Sequence, residues 1–463
     1  MTEAEDKKKL YLRIARANVH LVLARMKVHG FWPAGAGLPP DPAEEVAARK
    51  KIDAELAKLH ETAFVGGKDA IDKALREERV RRWEESKKRR KERRKLREAA
   101  AAEKRAAWLA TRKNILVHAG EGVSAGLENK KSDVEKLSAA GLPILHDSND
   151  LAKAMGVGIG ELRFLTYHRR GAALVHYSRF SIPKKIGGER HISAPKPRLA
   201  RAQRWVLDNV LAKVEPSSQA HGFVAGRSIV SNATPHVGQK VVLNLDLQDF
   251  FPTLTFGRTK GLFKSFGYSE HVAIVLSLLV TEPPRVKLAF EGKDYWVALG
   301  ARVLPQGACT SPSITNIVCR GLDRRLLGLA GKLGFAYTRY ADDLTFSGAH
   351  DRAAGRLLRS VRSILVDEGF QEHPKKTRIM RRSRRQEVTG VVVNERPAVA
   401  RDEVRELRAI LHNASRTGLA EQNREGHRDF AAHLRGRIAY VTMVNAEQGR
   451  KLMARFIELA GRT

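Results

Sequence analysis

Hydrophobic residues near the start of the chain recur at helical spacing, which predicts a helix within residues 1–30. A stretch rich in glycine and proline at residues 30–42 ends this pattern, and a second helical region follows from Ala43. No glycine or proline lies between Asp69 and Gly120, so we expect a long, mostly exposed helix there. Residues 120–131 are typical of a linker.

Beyond Val134 the pattern changes to short helices and strands. Residues 177–186 and 190–193 predict a hairpin that turns at Gly187 and Gly188, because glycine readily adopts the positive φ of a tight turn. The remaining pattern predicts strands at 241–247 and 387–393, a hairpin at 335–347, helices at 196–214, 265–279, 316–329 and 352–368, and helices from Pro397 onward.

The net charge of the chain limits the kinds of molecule that it is expected to bind. Lys and Arg number 84 and Asp and Glu 51 among 463 residues, which gives a net charge of +33 and an isoelectric point near 10.4. Such an excess favours polyanions, nucleic acid above all. Residues 79–105 alone contain 14 Lys or Arg against 5 Asp or Glu. This run predicts either a phosphate-binding surface or only a solvated helix face.

Other classes of protein are excluded by what the sequence lacks. Two cysteines, Cys309 and Cys319, cannot build a disulfide scaffold or a four-cysteine zinc site. The sequence opens without an apolar leader, and no segment approaches about 18 consecutive apolar residues. We therefore expect a cytoplasmic protein with no membrane partner.

Aspartates accompany apolar strands at two places. Asp342 and Asp343 lie side by side in the turn of a predicted hairpin, where two like charges repel unless a cation or water compensates them. Asp246 ends a predicted strand, and Asp249 follows three residues later. Carboxylate oxygens suit Mg²⁺, and two such ions about 3.5–4 Å apart can activate an attacking hydroxyl and stabilise a leaving oxygen in phosphoryl transfer. Ordinary turn aspartates are the alternative interpretation.

Three segments resemble the core motifs of reverse transcriptases, and they occur in the same order. They are NLDLQDFFPTL at 244–254, LPQGACTSPSITN at 304–316 and YTRYADDLTFSG at 337–348. The resemblance begins at about residue 151. It implies an α+β fold of the right-hand polymerase type, with a basic, mainly helical N-terminal extension and linker at 1–130, fingers and palm at 131–395, and a helical thumb at 396–463.

Finer features resemble the retron reverse transcriptases in particular. Asn232 and His236 stand in the Asn-Ala-x-x-His arrangement of that family and would form a hydrogen-bonded pair steadying the junction of fingers and palm. Val388, Thr389 and Gly390 match a triplet associated in retron enzymes with recognition of the cognate RNA. A plain buried strand with a close-packed glycine is the alternative for this triplet.

The resemblance assigns the catalytic and metal-binding roles to Asp246, Asp342 and Asp343. Asp246 and Asp342 would bridge the two ions, with Asp343 more peripheral. The occurrence of all three motifs in order disfavours the alternative that these residues are solvated turn acids.

The resemblance also implies a nucleotide-binding set. Phe251 would act as a steric gate against a 2′-hydroxyl, which separates ribonucleotides from deoxynucleotides. Arg190 and Lys184, with Lys185, flank the predicted hairpin turn and would hold the triphosphate. The remaining candidates are Gln306 beside the sugar, Asp249 at the triphosphate or as a helix cap, and Lys376 or Lys375 beside the departing pyrophosphate.

The function implied is an RNA-directed DNA polymerase that uses two Mg²⁺ ions and deoxynucleoside triphosphates. It would copy a partner structured noncoding RNA into single-stranded DNA, starting from a 2′-hydroxyl and leaving a branched RNA–DNA product. The resemblance further implies a retron role in antiphage defence, with an effector protein as partner. The alternatives are a reverse transcriptase of group II introns or diversity-generating elements, and a non-catalytic basic RNA-binding scaffold.

Overall fold

A computed structural model describes residues 19–37, 43–184 and 187–461. Lys185 and the part of the first predicted helix before Val19 lie outside these residues. The chain divides into two compact units, Met1–Ala106 and Ala107–Thr463.

Helices make up the described part of the N-terminal unit. Helix α1 spans Val19–Val28, and helix α2 spans Ala43–Asn114 with an interruption at Gly67, where the backbone is not helical (φ 63°, ψ −168°). Across this interruption, Glu55 Oε2 lies 3.5 Å from Arg82 Nη2, so the two arms of α2 fold back toward each other. The side chains that follow residue 86 are exposed as far as residue 110, as the sequence predicts.

The second unit contains short strands and most of the helices. Its strands are β1 (Gly171–Ala172), β2 (Tyr177–Pro183), β3 (Glu189–Pro195), β4 (Val241–Asp246), β5 (Arg285–Phe290), β6 (Lys293–Ala298), β7 (Phe335–Tyr340), β8 (Asp343–Gly348), β9 (Arg378–Arg381), β10 (Glu387–Val388) and β11 (Val391–Val392). Its helices are α3 (Val134–Ala139), α4 (Ser148–Ala154), α5 (Ile159–Thr166), α6 (Pro197–Asn209), α7 (Ile229–Ala233), α8 (Phe256–Ser265), α9 (Glu270–Val280), α10 (Ser311–Val318), α11 (Arg320–Lys332), α12 (Ala354–Asp367), α13 (Arg401–Thr417), α14 (Phe430–Val444) and α15 (Ala446–Ala460).

A four-stranded antiparallel sheet in the order β7-β8-β4-β9 forms the centre of this unit. Strand β4 forms because Val241, Val242 and Leu243 are apolar, mostly β-branched residues that are buried on both faces of the sheet. Helix α11 packs on β7, and α12 packs on α11. The sheet therefore holds β4 and β8 side by side on a buried support.

Two hydrophobic clusters stabilise the second unit. The larger one surrounds the four-stranded sheet and includes all the apolar side chains of α9. The smaller one joins the three C-terminal helices to Val388 of β10 and Val391 of β11, with Leu407, Ile438 and Val391 fully buried. The helical region predicted after Pro397 thus packs against the end of the palm.

The structure corrects four of the expected elements. Residues 120–131 do not form a free linker, because Val123 and Leu127 are buried in the larger cluster. The helix expected at 265–279 is divided by a turn at Gly267 (φ 110°) between α8 and α9. The helix expected at 316–329 lies across the end of α10 and most of α11. The strand expected at 387–393 is instead a hairpin of β10 and β11.

The hairpin predicted around Gly187 and Gly188 is present as β2 and β3, and both glycines have positive φ (88° and 79°). A second hairpin, β5 and β6, was not expected from the sequence. In the described ranges no helix has the length and apolar character needed to cross a membrane.

Candidate active site

Three aspartates meet at one end of the central sheet. Asp246 at the end of β4 is the register partner of Asp343 at the start of β8, and such partners have Cα atoms roughly 5 Å apart. The Leu247 amide donates a 3.0 Å hydrogen bond to the Asp342 carbonyl, so the chain after β4 also contacts the turn. Ala341 turns the chain with a φ of 57°. The fold therefore brings together the acids that the sequence separates by about a hundred residues.

The carboxyl groups of this cluster affect one another electrostatically. Burial, together with the charge of Asp246, raises the pKa of Asp342. Burial, followed by the charges of Asp342 and Asp246, raises the pKa of Asp343 to about 7. Concentrated negative charge that is only partly hydrated is the condition under which a cation binds favourably.

Lys376 supplies a positive charge to this cluster. Its Nζ donates to both carboxylate oxygens of Asp246 at 2.9 Å. The backbone holds the lysine there, because the His373 amide donates to the Asp246 carbonyl at 2.7 Å and Lys376 closes the short 3₁₀ turn Pro374–Lys376. The structure thus distinguishes Lys376 from its neighbour Lys375, which the sequence alone does not.

The residues present suit a divalent cation. Asp246, Asp342 and Asp343 offer hard carboxylate oxygens, and the Lys376 ammonium already takes a cation's place on Asp246. Across the described part of the chain, no three His, Cys, Asp or Glu side chains are arranged around one metal position. One of the three carboxylates, that of Asp246, forms an ion pair with Lys376 in this structure.

The β2–β3 hairpin contributes a second cation. Arg190 on β3 is exposed, and its charge partly offsets the rise in the pKa of Asp342 that burial and Asp246 cause. The same strand contacts the loop of Gln306, whose carbonyl accepts a 2.7 Å hydrogen bond from the Ser193 amide. Lys184 is exposed at the hairpin turn, where its backbone pairs with Gly188.

Two residues after β4 take different positions. Asp249 is exposed in a turn with a φ of 47° and does not cap the following helix, because Thr255 is the N-cap of α8. Phe251 is half-buried, with its ring 5.7 Å from that of Phe250. Phe250 itself is a core residue, 4% exposed. The capping alternative for Asp249 is therefore wrong.

Comparison with known proteins identifies the family. A family model described as "Reverse transcriptase (RNA-dependent DNA polymerase)" matches residues 182–393. The chain is 44% identical over 376 residues to the Retron Mx162 reverse transcriptase of Myxococcus xanthus, which covers 76% of each chain. It is 46% identical over 323 residues to the Retron Mx65 reverse transcriptase of the same organism, covering 70% of this chain and 74% of the relative. The chain belongs to the retron reverse transcriptases.

A more distant relative agrees with this assignment. The Retron Ec86 reverse transcriptase of Escherichia coli is 33% identical over 322 residues, which cover 69% of this chain and 91% of that protein. Family membership confirms the predicted RNA-directed DNA polymerase activity and the α+β polymerase fold of fingers, palm and thumb with a helical N-terminal region. It also favours the retron prediction over the intron and scaffold alternatives. The reverse transcriptase family generally uses divalent metal ions, and its members act on nucleic acid.

The two retron-type features of this reverse transcriptase are linked to each other. Val388 and Val391 are register partners, and Thr389 and Gly390 between them have positive φ (47° and 85°), as a two-residue hairpin turn requires. The Asn232 amide group donates to the Thr389 hydroxyl at 3.4 Å. Val388 is fully buried, whereas Gly390 in the turn is exposed.

His236 and Asn232 do not form the expected direct pair. Both are fully buried, and the His236 ring lies between two hydroxyls, with Nε2 2.7 Å from Thr338 Oγ1 and Nδ1 2.7 Å from Ser347 Oγ. The Thr338 hydroxyl also lies 3.4 Å from the Asn232 carbonyl. The two residues of the motif are thus connected through β7 of the palm.

A buried ion pair beneath the Asp342 turn was missed by the sequence analysis. Arg339 on β7 donates from Nε and Nη2 to the two carboxylate oxygens of Asp323 on α11, each at 2.8 Å, and both side chains are fully buried. Arg339 Nη1 also donates to Asn316 Oδ1 at 2.9 Å and to the Ala341 carbonyl at 3.1 Å. The signals available in the sequence were the one acidic residue of the helix expected at 316–329 and the one basic residue of the hairpin expected at 335–347.

Proposed function

We propose that this retron reverse transcriptase copies a partner structured noncoding RNA into single-stranded DNA at the cluster of Asp246, Asp342 and Asp343. The observation that carries the proposal is the convergence of these acids from two neighbouring strands beside the Lys376 ammonium. Carboxylates and cations in one site are what phosphoryl transfer from a nucleotide needs.

The three aspartates would hold two Mg²⁺ ions, which suit carboxylate oxygens. The bound ions would supply charge stabilisation to the attacking and leaving oxygens. In the reaction, a primer hydroxyl attacks the α-phosphorus of a deoxynucleoside triphosphate, a new P–O bond forms, the α–β bridge breaks, and pyrophosphate leaves. The hydroxyl proton is released to solvent.

The other residues bind and select the nucleotide. Lys376 pairs with Asp246 in the structure, and it would turn to the phosphate oxygens once a cation neutralises that carboxylate. Arg190 offers a planar fork that matches phosphate oxygens, and exposed Lys184 adds charge on the same hairpin. Phe251 would exclude a 2′-hydroxyl, Gln306 would lie beside the sugar, and exposed Asp249 would face the triphosphate.

Family membership supports the biological part of the proposal. We infer that the RNA is encoded as part of a retron, that synthesis starts from a 2′-hydroxyl and leaves a branched product, and that the system acts against phage with an effector protein. Thr389 and Gly390 are our candidates for RNA contact, because they form the hairpin turn between β10 and β11 and Gly390 is exposed there.

The test is primer extension by the full chain with its own structured RNA, labelled dATP and Mg²⁺. We expect Asp342→Asn combined with Asp343→Asn to lower the extension rate at least about a thousandfold, because metal-based charge stabilisation contributes several kcal/mol to such reactions. DNA synthesis that survives this double substitution would contradict the proposed site.

The matched control is Asp351→Asn. Asp351 is also a palm aspartate, but it lies in an exposed ion pair with Arg381, 2.8 Å away. Exposed pairs of this kind contribute about 0–1 kcal/mol to stability. We expect the control to retain normal extension, which would show that loss of an aspartate in general does not stop synthesis.

A further inference from the structure

On the stretch of α2 from Arg82 to Arg97, which follows the interruption at Gly67, arginines occupy one side of the helix, and lysines and glutamates occupy the other sides. At 100° per residue, the six arginines between Arg82 and Arg97 fall within an arc of about 140° around the helix axis. The lysines and glutamates of the same stretch lie outside this arc. We call this arc the arginine face, and it consists of Arg82, Arg89, Arg90, Arg93, Arg94 and Arg97.

The arginine face is exposed and only partly neutralised. Arg82 pairs with Glu78 at 2.8 Å, and at the edges of the face Arg89 pairs with Glu85 at 3.3 Å and Arg94 with Glu98 at 2.8 Å. Within the described residues, no acidic partner is found for Arg90, Arg93 or Arg97. Five of the six arginines border one open depression together with Ser86. The centre of the face therefore presents unpaired guanidinium groups to solvent.

This arrangement costs stability in the free helix. Arg89 and Arg93, Arg90 and Arg94, and Arg93 and Arg97 are like charges four residues apart, and such pairs destabilise a helix by about 0.2–0.5 kcal/mol each. Interleaving arginines with the nearby glutamates would have avoided the repulsion. A polyanion that covers the face would remove it.

The choice of arginine rather than lysine indicates phosphate. Lysines are available in the same stretch, but Lys88, Lys91 and Lys95 lie on the opposite side of the helix. Guanidinium forks match phosphate oxygens in a bidentate way, whereas ammonium groups act as point charges. The face carries a single large apolar residue, Trp83, and so lacks the apolar side of a helix that lies in a membrane surface.

We propose that the arginine face binds the phosphate backbone of a double-stranded stem of the template RNA. The proposal rests on the proposed function, because the structured RNA is the polyanion that the enzyme must hold before any DNA exists. From Arg82 to Arg97 the face is about 22 Å long, at 1.5 Å per residue. A rod of this length contacts successive phosphates of a stem, whose A-form geometry is recognised mostly through its backbone.

The experiment compares two triple variants of the full chain that remove the same charge from opposite sides of one helix. The first is Arg90→Gln with Arg93→Gln and Arg97→Gln. The second is Lys88→Gln with Lys91→Gln and Lys95→Gln. The probe is a labelled RNA hairpin with a stem of about 20 base pairs, titrated between 50 and 200 mM salt, a span over which phosphate contacts lose much of their strength.

We expect the arginine variant to bind the stem more weakly and with a salt slope shallower by about 2–3, close to one for each lost phosphate contact. The lysine variant should change the slope by less than about 1. Equal effects of the two variants, or no effect of either, would overturn the proposal. A DNA hairpin of the same sequence bound with the same affinity and slope would overturn the choice of RNA.

Two measurements keep this result separate from catalysis and folding. Circular dichroism should give the same helix content for both variants. Extension of a short DNA primer on an unstructured RNA template reports the palm alone and should be equal in both variants. Failure of that extension in the unmodified chain would contradict the proposed function, whereas loss of stem binding in the arginine variant alone supports the arginine face.

Discussion

Phe250 and Phe251 are neighbours in the sequence with different surroundings. Phe250 is 4% exposed and packs against Phe370, with ring centroids 5.9 Å apart. Phe251 is half-buried five residues beyond Asp246. The difference in burial separates a structural ring from one that can face a nucleotide.

We expect Phe251→Ala to weaken discrimination against ribonucleotides, because a smaller side chain leaves room for the 2′-hydroxyl. The ratio of kcat/KM for dATP to that for ATP should fall at least about tenfold, the scale on which a pocket distinguishes groups of this size. The measurement is single-nucleotide incorporation with each triphosphate on the same RNA template.

The adjacent ring serves as the control. Phe250→Ala should lower the free energy of unfolding by about 3–5 kcal/mol, as is usual for a buried phenylalanine. Its nucleotide ratio should remain unchanged at a temperature where the variant is folded. An unchanged ratio in Phe251→Ala would exclude the steric-gate role.

Some residues of the site can be predicted from the sequence, whereas the contacts of others depend on the folded structure. The three aspartates could be predicted because the segments that contain them resemble core motifs of reverse transcriptases. Lys375 and Lys376 are equivalent in sequence, and only the 3₁₀ turn decides that Lys376 reaches Asp246. The Arg339–Asp323 pair depends on the packing of β7 against α11, which no local pattern specifies.

The elements that were predicted correctly carry a strong local signal. Strands β7 and β8 carry aromatic and β-branched residues on both sides of one turn. Hairpin β5–β6 was missed although Val286, Leu288 and Phe290 recur at every second position of β5, and these apolar side chains are exposed in the structure. Residues 387–393 were interpreted as one strand because valine favours strands. The positive φ of Thr389 and Gly390, which turns the chain between them, is visible only in the structure.

The turn between β7 and β8 is held in place by contacts with α11. Arg339 contacts the Ala341 carbonyl and, through Asp323, fixes the turn to α11. Arg339→Lys keeps the charge but loses the fork, and we expect it to destabilise the protein, up to the 3–5 kcal/mol of a broken buried pair. We expect kcat to fall roughly ten- to a hundredfold with KM for the nucleotide little changed, because a small displacement of Asp342 misplaces the reacting groups.

Arg325→Lys is the matched control for this positioning role. Arg325 lies on the same helix as Asp323 but pairs with Asp367 and Glu368 at a partly exposed site. Both variants are assayed at a temperature where denaturation curves show them folded. Equal kcat values for the two variants would show that the turn does not need Arg339.

At the scale of the whole molecule, His236 couples folding to pH. It is fully buried between the hydroxyls of Thr338 and Ser347, where burial, with a smaller contribution from His221, lowers its pKa from 6.5 to about 3. The folded state therefore keeps the ring neutral, whereas the unfolded chain binds a proton below pH 6.5. Since the unfolded state binds more protons between these values, stability is full above pH 6.5 and falls as the pH decreases toward 3.

We expect this single group to remove up to about 1.4 kcal/mol of unfolding free energy for each pH unit below 6.5. The measurement is denaturant unfolding at pH 7.5, 6.5 and 5.5 for the unmodified protein, His236→Gln and His412→Gln, the last being an exposed control. His236→Gln lowers stability at every pH by loss of packing and hydrogen bonds, so the slope is compared rather than the absolute value. A slope in His236→Gln as steep as in His412→Gln would show that acid sensitivity arises from other buried groups.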